Sequence, residues 1–118
     1  MTKANSTETA TETLTKMLDT ASATDSRGRL ITVNRLNALQ FYRLTKAMGV
    51  NSSNPASMDL AVLVSSVKKI DATHVAPPSS EAEIEFLIQQ LDFDGIAAVG
   101  EALKKLGEQD SSVDASKN

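Results

Sequence analysis

The feature that most constrains the fold is a pair of amphipathic helix patterns in the last third of the sequence. Ser80 is followed three residues later by Glu83, which is the spacing of a capping box at a helix N-terminus. Two segments then place apolar residues at helical spacing on one stripe each, with Asp94 between them: Ile84, Leu87, Ile88 and Leu91, then Ile96, Val99, Leu103 and Leu106. We therefore predict two C-terminal helices, the second capped by Asp94 and ended by Gly107.

A strand and a further helix are predicted before the centre of the chain. Residues 29–33 alternate polar and apolar side chains and contain Ile, Thr and Val, which is typical of a short strand. Asn34 is a favoured N-cap residue, and Gly49 is a favoured C-cap residue. Between them one broad apolar face is formed by Leu36, Leu39, Leu44, Ala47 and Met48.

The next segment predicts a second helix followed by short extended pieces. Pro55 suits the first turn of a helix that we expect to run to about Ser66. Residues 67–71 and 74–76 read as extended pieces on either side of a turn, and a Pro-Pro pair then ends regular structure.

Composition agrees with a helical protein. Apolar residues make up 41 % of the 118 and aromatic residues only 3 %, so the core must be built mainly from aliphatic side chains. We predict a mainly α or α+β fold with about four helices and two or three short strands. One helical domain over residues 27–107 would follow a disordered or partly helical segment, 1–26, and precede a disordered tail, 108–118, because both ends carry few large apolar groups.

Several classes of protein are disfavoured by residues that the sequence lacks. It contains no cysteine, which suits a reducing cytosol and removes disulfides and thiolate chemistry. The first residues have no apolar region of the kind found in secretory signals. The longest apolar stretch, Leu60 to Val64, is far shorter than the roughly 20 residues of a membrane span. We expect a soluble protein that does not bind membranes.

No pattern predicts catalysis, a cofactor or a metal. His74 is the one histidine, and no nucleophile motif accompanies it. Asp92 and Asp94 flank Phe93, but the spaced oxygen ligands and closing glutamate of a calcium loop are missing. The glycines are scattered and form no phosphate-binding loop. We therefore expect a protein that acts by binding other proteins.

Charge is distributed unevenly along the chain. Residues 27–69 contain seven basic side chains against Asp59 alone, whereas residues 70–118 contain ten acidic side chains against three lysines. Such an asymmetry favours oppositely charged partners on the two sides, or head-to-tail association of copies. It also leaves open a small nucleic-acid-binding regulator that uses the basic face at 27–46, although the helix predicted from Pro55 lacks side chains that read bases.

Candidate partner-binding residues are aromatic and basic side chains off the apolar stripes. Tyr42 and Phe86 lie away from the main faces of their helices, and Phe93 lies in a short connection, where aromatic residues often anchor interfaces. Arg35 and Arg43 lie on or near the same predicted helix. The alternative is that these aromatics cover secondary parts of a small core.

Two stretches carry a resemblance to a known family. They are RLITVNRLNALQFYRLTKAMG at 29–49 and SSVKKIDATHVAPPSSEAEIEFLIQQLDFDGIAAVGEAL at 65–103, and together with the intervening apolar helix the order of elements is similar to the tail assembly chaperones of long-tailed bacteriophages. The sequence departs from the family's pattern at Asp71-Ala72, where the turn is expected to read Asp-Gly.

The resemblance implies a non-structural helper made in the cytoplasm of an infected bacterium. Such a helper binds the tape-measure protein, keeps its apolar helices in solution, and helps recruit tail-tube protein. It is missing from the finished virion. The uneven charge described above also suits copies that stack along a client as an oligomer. A third reading, a structural virion subunit such as a tail-completion protein, remains open.

Overall fold

The computed structural model of the protein describes residues 19–117, with side chains described over 19–108. Its elements are β1 (Thr20–Thr24), β2 (Leu30–Asn34), α1 (Ala38–Met48), a 3-10 turn (Gly49–Ser53), α2 (Pro55–Ser65), β3 (Val67–Ile70), β4 (Thr73–His74) and α3 (Glu81–Lys117). The described chain is thus α+β, with three α-helices and a four-stranded sheet. The α+β alternative of the sequence prediction is confirmed, whereas a mainly α fold with about four helices and two or three strands is wrong.

The sheet is antiparallel throughout, with strands in the order β1-β2-β3-β4. A hairpin joins the first two strands, and Gly28, with φ of +83°, supplies the left-handed residue that its turn requires. One face of the sheet is buried against the helices through Ala21, Ala23, Ile31 and Val33, while Ser22 and Thr32 hydrogen-bond to each other on the other face at 2.9 Å. Alternation of side chains along each strand therefore separates the core from a polar face.

Strand β1 lies inside the 1–26 segment for which the sequence predicts disorder or partial helix, so that prediction is wrong for residues 20–24. Residues 1–18, for which the sequence also predicts disorder or partial helix, lie outside the described part of the chain. Helix α3 packs against β1, and its Lys105 Nζ donates a hydrogen bond to the carbonyl of Ser22 at 2.7 Å.

Helix α1 begins three residues later than predicted. Asn34 belongs to β2, because it pairs with Thr20 and its backbone N–H donates to the carbonyl of Ser66. The N-cap is Asn37, which forms a reciprocal capping box with Gln40. Gly49 ends the helix as predicted.

Helix α2 follows the prediction closely. Asn54 caps its N-terminus and Pro55 occupies the first turn. Ala61 and Val64 are buried, and the helix packs between α1 and α3. The two short strands after it, β3 and β4, flank a turn at Asp71 and Ala72, in agreement with the predicted extended pieces.

Helix α3 combines the two predicted C-terminal helices. Ser80 Oγ accepts a hydrogen bond from the N–H of Glu83, as expected at the N-terminus. The helical conformation is interrupted at Asp92 (φ 56°, ψ −171°), so the predicted cap, Asp94, does not start the second segment. Gly107 does not end it either: α3 continues to Lys117, where the sequence predicts a disordered tail. Both apolar stripes face the core: Ile84, Leu87, Leu91, Val99 and Leu106 are buried, and Ile88, Ile96 and Leu103 are partly buried.

The β1–β2 turn contacts α3 at the break in its helical conformation. The contact is made by an ion pair between Asp25 and Arg29, which we call the Asp25–Arg29 clamp. The Asp25 carboxylate accepts from Arg29 Nε at 2.7 Å and from the backbone N–H groups of Arg29 and Arg27 at 2.8 and 3.0 Å. Arg29 also donates to the carbonyls of Gln90 and Leu91, both at 2.9 Å. These two carbonyls lie at the end of the first helical segment, so the guanidinium satisfies groups that the interruption leaves unbonded.

Burial alone would raise the pKa of Asp25. The hydrogen bonds from Arg29 and Arg27, together with the positive charge of Arg29, outweigh burial and hold that pKa below its ordinary value. The clamp therefore contains a carboxylate that is ionised at neutral pH although its side chain is fully buried.

Candidate functional site

An open groove lies beside α1 in the described part of the chain, and we call it the basic groove. Its volume is about 530 Å³. One wall is α1, and the opposite wall is formed by the end of α2, the start of β3, and the loop at 75–79. The floor is apolar and is formed by Leu36, Leu44, Ala47, Val67, Val75, Pro77 and Pro78.

The rim of the basic groove is positively charged. Arg35, Arg43, Lys46 and Lys68 all line it, and none of the described residues that line it is acidic. Arg43 and Lys46 lie on the solvent-exposed side of α1, one turn apart, and Lys68 faces them from β3. A chain with a net charge of −3 thus concentrates four cationic side chains at a single depression.

The cations differ in how they are held. Arg35 Nη2 donates to the carbonyl of Leu106 at 2.9 Å, which ties it to α3. Lys46 Nζ lies 5.4 Å from the centre of the Tyr42 ring, within the range of a cation–π interaction. Tyr42 is 59 % exposed, so it extends the groove's edge along the outer surface of α1.

Two smaller depressions adjoin the basic groove. One, of about 230 Å³, shares Val75 and Pro78 with it and is lined by Phe86 and His74. The other shares Arg35 and Leu36 with it and is lined by Phe41. The three depressions are neighbours that share lining residues, and between them they involve α1, the 75–79 loop and the start of α3.

Large apolar side chains are exposed around this surface. Phe86 is 64 % exposed beside the smaller depression, and α1 with its following turn exposes Leu39, Phe41, Tyr42 and Val50. Phe93 is 87 % exposed but lines none of the three depressions, since it lies at the interruption of α3. Exposed apolar groups at this density are typical of surfaces that contact other proteins.

Four of the five predicted partner-binding residues therefore lie at or beside the basic groove, and the fifth does not. Arg35 and Arg43 meet at the basic groove, Tyr42 lies at its edge, and Phe86 lies at the adjoining depression. Phe93 stands apart from the other four.

The candidate residues named from the sequence do not include Lys68, Lys46, or the exposed Leu39 and Phe41 of α1. Lys68 comes to the groove only because β3 pairs with β2, a contact distant in sequence. The sequence predicts that Leu39 lies on the buried face of a helix capped by Asn34. The helix instead starts at Ala38, and the side chain of Leu39 is 53 % exposed in its first turn. The spacing of Asn37 and Gln40 is the local signal that would have given the correct start.

The basic face at 27–46 is not a single surface. Arg27 forms ion pairs with Asp92 and Asp94, at 3.1 and 3.0 Å, and Arg29 belongs to the clamp. Hydrogen bonds from Ser26 and Arg27 lower the pKa of Asp94. Of the basic residues in that range, Arg43 and Lys46 form no ion pair with a carboxylate in the described part of the chain.

Comparison with protein-family models, with curated proteins and with solved structures gave no match. No helix within residues 19–117 combines the length and apolar character needed to cross a lipid bilayer.

Proposed function

We propose that this protein binds an apolar, helical segment of another polypeptide and keeps that segment in solution. The observation that carries the proposal is the apolar floor of the basic groove, which has two neighbouring depressions lined by the exposed aromatic side chains Phe86 and Phe41. A helix laid in a groove of this kind buries its apolar face at the positions i, i+3, i+4 and i+7. Binding, with no covalent chemistry and no cofactor, is sufficient for such a role.

The finer proposal is a bacteriophage tail assembly chaperone. The sequence resemblance over residues 29–49 and 65–103 supports it, and both stretches supply walls of the basic groove. In that role the client is the tape-measure protein, with tail-tube protein as a further partner, and the chaperone works in the host cytoplasm, with copies able to associate. It would be missing from finished particles, which distinguishes it from a structural virion subunit.

A role in reading nucleic acid has less support. Two of the arginines at 27–46 are held in ion pairs, and among the described residues that line the basic groove there is no aromatic side chain on which a base could stack. Helix α2, which begins at Pro55 and lacks side chains that read bases, is partly buried between α1 and α3.

The test is co-expression of the full chain with a long helical client encoded beside it, followed by pull-down and measurement of the soluble client. Wild type is expected to retain the client in the soluble fraction. The double variant Leu39→Ser, Phe41→Ser is expected to retain less, because both side chains are about half exposed and touch solvent in the free protein. Ala97→Ser, an exposed change on α3, is the matched control. If no helical protein is retained or solubilised by wild type, the proposed function is wrong.

A further inference from the structure

The basic groove has a charge pattern that specifies the chemistry of its occupant. Arg43, Lys46 and Lys68 approach it from two walls, and no carboxylate lines it. Because the groove is concave and has an apolar floor, the field of these cations is less screened there than on a flat surface. An occupant with negative charges at its edges is attracted, and one with positive charges is repelled.

The apolar floor of the groove determines which kind of surface the occupant must present to it. Its aliphatic and proline side chains offer no hydrogen bonds, so the occupant must present an apolar face to them. Asn34, Gln40 and Ser79 also line the groove and supply hydrogen-bonding groups beside that floor.

We propose that the basic groove binds an acidic amphipathic segment of the client, with its apolar face on the floor and its carboxylates against Arg43, Lys46 and Lys68. This inference rests on the proposed function and names the chemistry of the client. None of the described residues that line the groove itself is aromatic, so its floor offers no stacking surface for the bases of a single-stranded nucleic acid. Residues 1–18 of the same chain carry two acidic and two basic side chains, so they lack the required net negative charge.

The test measures peptide binding to the full chain by fluorescence anisotropy. The probe is a labelled amphipathic peptide of about 20 residues, about 30 Å long as a helix, with leucines on one face and glutamates beside them. The same peptide with glutamine in place of glutamate, and the same peptide with lysine, are the two comparison probes. The acidic peptide is expected to bind most tightly, and its affinity is expected to fall as salt is raised.

Variants locate the binding site. Arg43→Gln and Lys68→Gln are each expected to weaken binding by up to about fivefold, and the double variant by about tenfold or more, because each removes one screened ion pair. Lys69→Gln is the matched control, since Lys69 is next in sequence but pairs with Thr32 in the sheet and does not line the groove. Circular dichroism checks that each variant is folded.

The binding measurements distinguish the proposed acidic segment from other occupants of the groove. Equal binding of the acidic and glutamine peptides, or equal loss in Lys69→Gln, would overturn the inference. So would preferential binding of a single-stranded oligonucleotide, or self-association that Arg43→Gln abolishes, which would assign the groove to a nucleic acid or to a second copy. If a helical client is retained in the pull-down while peptide charge has no effect, the inference fails and the proposed function stands.

Discussion

The Asp25–Arg29 clamp leads to a prediction that tests how the fold is held together. In Asp25→Asn the side chain keeps its shape but loses its charge, and one oxygen acceptor becomes an amide donor. That donor would face Arg29 Nε or one of two backbone N–H groups, all of which now donate to the carboxylate at 2.7–3.0 Å. At least one hydrogen bond to a charged group is therefore lost.

The magnitude follows from burial. Removing one partner of a fully buried ion pair costs about 3–5 kcal/mol. The Asp25 side chain is 0 % exposed, but that of Arg29 is 19 % exposed and keeps its two carbonyl acceptors on α3. We therefore expect a smaller loss, about 2–3 kcal/mol, in the free energy of unfolding, which is a large share of the roughly 5–15 kcal/mol typical of a domain.

Urea unfolding followed by circular dichroism at pH 7 measures this loss. Asp59→Asn is the control: Asp59 is exposed on α2, and its substitution is expected to change the free energy of unfolding by less than about 0.5 kcal/mol.

The pH dependence provides a second check. Because the folded-state pKa of Asp25 is lowered, its carboxylate contributes stability above the unfolded-state pKa of about 3.9 and loses it as pH falls through the folded-state value. The difference between wild type and Asp25→Asn is therefore expected to be constant near neutrality and to shrink below about pH 4. A substitution that left the free energy of unfolding unchanged at pH 7, or a difference that persisted in acid, would refute the account of the clamp.

Three further predictions concern residues on α3. Gly95→Ala is expected to destabilise the fold by about 1–3 kcal/mol, because the Cβ of the new alanine would lie 2.8 Å from Leu91 Cβ. Thermal unfolding measures this loss of stability, and an unchanged midpoint temperature would contradict the prediction. Gly100→Ala, where an added Cβ meets no atom within 4 Å, is expected to stabilise the helix by up to about 1 kcal/mol in the same assay. Arg27→Gln is expected to raise the pKa of Asp94 towards its ordinary value while the hydrogen bond from Ser26 remains; carboxyl titration by NMR would show this, and no rise would argue against the ion pair.

The parts of the fold that the sequence predicts well are those determined by local contacts. Helix α2 and the start of α3 carry their own cap residues, Asn54 with Pro55 and Ser80 with Glu83, and these signals need no information from the rest of the chain. The apolar stripes of α3 were predicted for the same reason.

Strand β1 could not be recognised from hydrophobicity. Its inward side chains are Ala21 and Ala23, which are small because α3 packs directly over them. The available signal was the turn, in which Asp25 and Gly28 stand between two alternating segments, a pattern typical of a β-hairpin. The interruption at Asp92 was likewise hidden, because it depends on Arg29, which is far away in sequence.

The candidate site was predicted in part. Arg35 and Arg43 were identified from their position near one helix, and they share the basic groove. Its opposite wall depends on pairing of β3 with β2, so Lys68 and the role of the prolines at 77 and 78 follow only from the tertiary structure.

The contact between Lys105 and Ser22 has a consequence for how copies of this chain can meet. Strand β1 is the outermost strand of the described sheet, and Ser22 pairs with Thr32 at a position whose backbone groups point away from β2. The carbonyl of Ser22 could accept a hydrogen bond from a strand of another chain, but it already accepts one from the ammonium group of Lys105. Strand addition at this edge would have to displace a charged group, so β1 is a poor template for pairing with a strand of another copy.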